Sequence, residues 1–254
     1  RSWFEQFTTN KTLNADQDAF WKPKPTEELY DLQDDPYETQ NLAYGPKHDF
    51  ERQRLSFALG QWLVETRDLS VVPEALRLAQ AKGSSPKDTF ATEEALPYGD
   101  TLRAALTSSD RLLADPNYIN KQLNDPQASI RYWAVTGYVL RGKPAVEADE
   151  SKLIPLLQAQ APSVRIAAAY ALAEHGSGAA QKQAWQVLLT TANSTLGSTL
   201  EAVEALNVIS HLGDKALPYK EQIAKLPSSG AATDSDRLQG YPARLMDYLG
   251  SKLG

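Results

Sequence analysis

Shifted by 34 residues, the second half of the chain lies over itself. Ile130 falls over Val164, Arg131 over Arg165, Ala134 over Ala168, Tyr138 over Leu172 and Gly142 over Gly176. The segments that follow agree at the same offset, with Leu153 over Val187 and Ile154 over Leu188. A looser third copy ends in His211-Leu212-Gly213, much as the second ends in Glu174-His175-Gly176, and a less regular copy spans about 100–124. Each copy reads as a pair of short amphipathic helices, too small to bury its own apolar face. Copies that follow one another must therefore stack, which predicts an α-solenoid from residue 99 onward. The last helix, about 235–252, caps the stack, and Gly178–Ala180 reads as a short loop between helices.

The Asp-Pro and Ala-Pro starts, alanine-rich first helices and apolar second helices of these copies resemble HEAT-like repeats. The tetratricopeptide repeat has the same period, but its Trp-x-x-Leu-Gly-x-x-Tyr pattern is not found in the sequence.

The first hundred residues are built differently. Trp3, Phe4 and Phe7, then Phe20 and Trp21, are spaced for a helix, which the prolines of Lys22-Pro-Lys-Pro-Thr26 stop. Glu28–Leu32 alternates apolar and acidic residues and predicts a short strand. Asp34-Asp35-Pro36-Tyr37 is turn chemistry. After Pro46 a helix is predicted through Glu65, with Phe50, Leu55, Leu59, Trp62 and Leu63 as its apolar face. Residues 71–98 read as an extended arm holding one short helix at Pro73–Ala81, ended by Gly83. The predicted fold class is mainly α: a small strand-bearing subdomain over 1–70, the arm over 71–98, and an α-α superhelix over 99–254.

Three pieces occur in a set order: Glu28-Leu29-Tyr30-Asp31-Leu32, then Asp35-Pro36-Tyr37-Glu38-Thr39-Gln40-Asn41-Leu42-Ala43, then Gln61-Trp62-Leu63-Val64-Glu65-Thr66-Arg67-Asp68. Together they resemble the C-terminal subdomain of the sulfatase family within the alkaline-phosphatase-like superfamily, in the branch that includes heparan N-sulfatase. The resemblance covers roughly 1–98, and some bacterial members of the branch carry a helical-repeat tail. It implies the C-terminal part of a hydrolase of sulfuric esters or sulfamates on sulfated sugars, in a periplasmic or secreted enzyme. The implied partners are the sulfatase catalytic domain (in the same polypeptide or a companion chain), a second copy of the chain, and a sulfated carbohydrate substrate. Within the motif, Leu29, Tyr30, Asp31, Asp35, Pro36, Asn41 and Leu42 have structural roles: an edge strand to dock, a turn at Asp35 and Pro36, and an exit pinned by Asn41 and Leu42.

The chemistry implied by that family is absent from this chain. It needs a formylglycine made from the first residue of Cys/Ser-x-Pro-x-Arg, and a calcium ion that neutralises sulfate charge. There is no cysteine, and Ser84-Ser85-Pro86-Lys87-Asp88 lacks the arginine. No catalytic residue, metal ligand or cofactor is therefore assigned here; formylglycine and calcium are expected in a catalytic domain that precedes Arg1, the chain reading as a piece of a longer polypeptide. By the same resemblance this subdomain lies beside the active-site mouth. That makes Arg67 and Lys87, with Arg77 and Lys82 nearby, the substrate-binding candidates, because a guanidinium reads sulfate through two parallel hydrogen bonds. The competing reading of Arg67 is a helix-end cation among Glu65 and Asp68.

A net charge of −6 without a basic stripe excludes a nucleic-acid partner, and no apolar run is long enough to span a membrane. His175 and His211 read as helix-end residues, and the acidic run Asp31, Asp34, Asp35 and Glu38 lacks the spacing of an EF-hand. Tyr132, Trp133, Tyr138 and Trp185 suit either core packing or a carbohydrate platform. The alternative function is a stand-alone HEAT-like protein-interaction or carbohydrate-binding module with no enzymatic role.

Overall fold

The computed structural model describes residues 6–7, 11–22, 24–109, 116–231, 234 and 236–253. Trp3, Phe4 and Pro23 lie outside them. The chain is mainly helical and divides into two compact units, Arg1–Thr66 and Arg67–Gly254.

In the first unit, helix α1 (Ala15–Ala19) is held by a capping box. Gln17 N–H donates to Asn14 Oδ1 at 2.9 Å, and Asn14 N–H donates back to Gln17 Oε1 at 3.1 Å. Phe7 stacks on Trp21 at 5.2 Å and Phe20 meets the same ring edge-on. A loop over 27–43 leads to helix α2 (Asp49–Thr66). The strand predicted at Glu28–Leu32 does not form, and no strand is present among the described residues. A strand needs a ladder of backbone bonds to a neighbour, and this segment shows one, Leu42 N–H to Leu29 O at 2.8 Å. The Asn41 side chain takes other groups that a ladder would use: it accepts from Leu29 N–H and donates to Glu27 O.

The second unit starts with short elements: a 3₁₀ turn at Leu69–Val71, α3 (Glu74–Ala81) and α4 (Pro86–Thr89). Helix α3 ends where Lys82 and Gly83 both turn left-handed. The helix pairs follow: α5 (Tyr98–Ser109) with α6 (Pro116–Gln122), α7 (Ala128–Arg141) with α8 (Lys143–Leu153), and α9 (Pro162–His175) with α10 (Gly178–Thr191). After them come α11 (Thr199–Leu212), a 3₁₀ segment at Gly213–Tyr219, two four-residue helices, α12 (Lys220–Ile223) and α13 (Asp236–Gln239), and α14 (Tyr241–Leu253). The first helices of successive pairs pack sideways, α5 on α7, α7 on α9 and α9 on α11, while α14 closes against α11.

Positions related by the 34-residue shift do the same work. Ile130 and Val164, Ala134 and Ala168, and Tyr138 and Leu172 are all buried. Arg131 donates to the carbonyls of Asp125 and Pro126, six and five residues back, and Arg165 donates to those of Ala159 and Gln160 in the same way. Each arginine thus ties the incoming loop to its own helix. Gly142 has φ 71° and ψ −156°, a conformation open to glycine alone, so α7 can turn into α8 within one residue. Gly178–Ala180 is the first turn of α10 rather than a loop. Glu150 of α8 fixes the residue before that turn, accepting from the Ser177 hydroxyl at 2.8 Å and from its N–H.

Leu172 is fully buried at the centre of this packing. Leu172→Ala should cost about 2–5 kcal/mol. In a urea titration of the full chain the midpoint should fall while the slope stays the same.

Candidate functional site

The 27–43 loop is organised by two side chains. Asp35 gathers the turn: its Oδ2 accepts from the N–H groups of Thr39 and Gln40, each at 2.8 Å, and its Oδ1 accepts from the Thr39 hydroxyl at 3.1 Å. Those backbone donors, Gln40 first, hold its carboxyl below the usual carboxylate range. Pro36 presets the turn, and Glu38 closes it at φ 56°. Asp31 Oδ1 accepts from Gln33 N–H, which tightens the preceding bend. Asn41 pins the two limbs together: its Oδ1 accepts from Leu29 N–H at 3.0 Å and Ala43 N–H at 2.9 Å, and its Nδ2 donates to Glu27 O at 3.1 Å. Leu29, Tyr30 and Leu42 are half-buried along that seam. Glu27 in turn accepts from Arg52 at 2.8 Å and from the Ser56 hydroxyl, which binds the loop to α2. These contacts all lie within the first unit.

Arg67 lies at φ 49° and reaches into the loop before α5. Its Nε donates to Phe90 O at 3.1 Å, and its Nη2 donates to Thr92 O at 3.0 Å and Leu96 O at 2.7 Å. Its Nη1 pairs with Glu93, and the guanidinium lies 5.6 Å from the centre of the Tyr98 ring. No pair of parallel N–H groups is left to grip a sulfate. Tyr98, fully buried, donates its hydroxyl to Asp68 O at 2.9 Å and completes the clasp. Sequence reasoning weighed Arg67 against nearby Glu65 and Asp68. Its partners are the carbonyls of residues 90–96, which no local signal could have named. The Ser70 N–H and hydroxyl hold the Asp68 carboxyl low and Arg77 adds to them, while Lys82 and Lys87 are exposed. Neither Arg77, Lys82 nor Lys87 shares a hydrogen bond or ion pair with Arg67 in this structure.

The aromatic candidates are used for packing. Tyr138 and Trp185 are buried, and Trp185 stacks on Tyr219 at 4.3 Å. Trp133 donates its indole N–H to Val71 O at 2.7 Å and meets Tyr132 edge-on. Tyr132 and Trp133 are half-buried. Among the described residues no group of three or more His, Cys, Asp or Glu side chains could hold a metal ion, and no helix is long and apolar enough to cross a membrane.

Arg67→Lys should lower stability by about 1–3 kcal/mol, because one ammonium cannot satisfy the carbonyls that the planar fork serves. Thermal unfolding of the full chain measures that loss. Asn41→Ala leaves the Leu29 and Ala43 N–H groups unpaired, so limited proteolysis within 27–43 should become faster. No family model, curated protein or solved structure matches the chain.

Proposed function

We propose that this chain is the C-terminal part of a sulfatase acting on sulfated or N-sulfated sugars, with the Glu27–Ala43 motif and α2 completing the fold of a catalytic body. The observation that carries this reading is α2. It is 18 residues long and holds no buried residue. Phe50, Phe57 and Val64 lie exposed along one flank, and Leu55, Leu59 and Trp62 along another. Among the described residues of its unit, Ala43 alone is buried. A water-facing helix with two apolar flanks is the composition of a buried one. Covering each large side chain would be worth about 1.5–3 kcal/mol, so a larger body that packs on both sides of α2 gains substantially. The motif that leads into α2 resembles the part of a sulfatase that does this work.

In this reading formylglycine and calcium belong to the catalytic domain, and no step of sulfate hydrolysis passes through residues of this chain. Arg67 acts by holding the 90–96 loop in shape. Lys87, exposed and cationic like Lys82, is left to meet a sulfated substrate. The helix pairs after Tyr98 form a HEAT-like α-α superhelix whose outer surface is open to a partner or a second copy. The rival reading, an interaction module with no enzymatic role, draws on the completeness of the core in the second unit. It leaves the flanks of α2 without a purpose.

The test is to read the coding sequence on either side of this chain and to assay the complete protein. A Cys/Ser-x-Pro-x-Arg in the same polypeptide or a companion chain is expected, with release of sulfate from an aryl sulfate or an N-sulfated glucosamine. In that protein, Phe57→Lys combined with Trp62→Lys should reduce the yield of soluble active enzyme by about tenfold or more, since two buried charges would face apolar neighbours. A complete protein with no such motif and no sulfate release would overturn the proposal.

A further inference from the structure

Helix α8 is broken inside. Asp149 has φ −122° and ψ 20°, outside the helical region, although the helix continues on either side of it. Proline and glycine, common causes of a break, are absent from residues 145–153. The sequence sets a different condition there. Val146 and Leu153, seven residues apart, are fully buried, so the face of α8 between them points inward. Asp149 and Glu150 follow Val146 by three and four residues, beside that face, where each carboxylate needs a polar partner.

The break gives the two carboxylates partners on different helices. Asp149 Oδ2 accepts from the Tyr138 hydroxyl of α7 at 2.7 Å and from Asn120 Nδ2 of α6 at 3.3 Å. Its Oδ1 pairs with Lys152, within α8, at 2.7 Å. Glu150, the next residue, accepts from the N–H and the hydroxyl of Ser177 at the start of α10. Adjacent residues thus tie α6 and α7 to α10 through one bend in α8. The following pair of helices lacks both the acids and the bend. There the 34-residue shift places Leu172, Gln183 and Ala184 at the positions of Tyr138, Asp149 and Glu150, and α10 carries no break.

We propose that this bend is a conformational relay built into the stack: the Tyr138–Asp149 bond holds α8 bent, and the bend aims Glu150 at Ser177. Successive residues of a regular helix stand about 100° apart around its axis. When the bond to Tyr138 is lost, α8 relaxes toward that geometry, Glu150 is re-aimed, and Ser177 loses its partner. A change at α7 is thereby carried to the first turn of α10, although Tyr138 and Ser177 share no hydrogen bond.

A double-mutant cycle on the full chain tests this. Tyr138→Phe removes one hydroxyl and keeps the ring, and Ser177→Ala removes the hydroxyl at the other end. Independent sites would show additive losses of Tm. The relay requires the double variant to lose at least about 2 °C less than the sum of the single losses. Hydrogen exchange in Tyr138→Phe gives a second reading. The Ser177 amide should exchange at least about threefold faster, relative to the Ala202 amide that bonds to Ser198 O in α11. Additive losses, or equal changes at the two amides, would rule the relay out. Should Tyr138→Phe fail to fold, Asp149→Asn takes its place in both measurements with the same outcomes decisive.

Discussion

The larger unit depends on how closely helices can approach α9. That helix touches α3, α7, α8, α10 and α11, so apolar side chains are needed on nearly all of its surface. Alanine dominates it for this reason: Ala168, Ala169 and Ala171 are fully buried, and their small side chains let five neighbours come near. Ile166 and Leu172 fill the space that remains. An apolar residue all the way round is the signature of a central helix, and a one-sided stripe would have left one of these contacts facing polar groups.

Close packing of this kind leaves backbone groups at helix ends that need partners, and neighbouring helices supply them. Glu150 of α8 holds Ser177 at the start of α10, and Lys215 reaches back to the Glu174 carbonyl and carboxylate at the end of α9. Arg131 and Arg165 satisfy the carbonyls of the loops that precede their own helices. Polar contacts thus run between neighbouring elements in both directions along the chain, beside the apolar packing. The hydroxyl contacts of Ser129 with Thr101 and of Ser163 with Glu204 belong to the same scheme.

The first unit has the opposite character. Its order comes from polar side chains, Asp35 and Asn41 inside the loop and Glu27 between the loop and α2, while its apolar residues face outward. Such a unit holds a local shape without burying a core, which suits a segment that docks on something larger. In the second unit the Arg67 guanidinium is engaged by its own 90–96 loop. Lys82 and Lys87, by contrast, stay exposed.

Helical class and the positions of the stacked pairs were legible in the sequence, because a 34-residue echo of apolar positions can be buried only by like packing on like. The helix after Pro46 and the turn at Asp35 were legible too, since both rest on local chemistry. The strand at Glu28–Leu32 was misread. Alternation sets a pattern of faces, but a strand exists only where another backbone pairs with it, and there Asn41 pairs first. Gly178–Ala180 is helical, and the residue before it, Ser177, is held by Glu150, 27 residues back. Arg67 found its acceptors 23 to 29 residues ahead, and the hydroxyl of Ser163 found Glu204 41 residues ahead. The sequence by itself determined which residues had to be buried together and at what period. Only the tertiary structure decided which polar groups meet, because those partners are brought together by the packing of helices and not by their spacing along the chain.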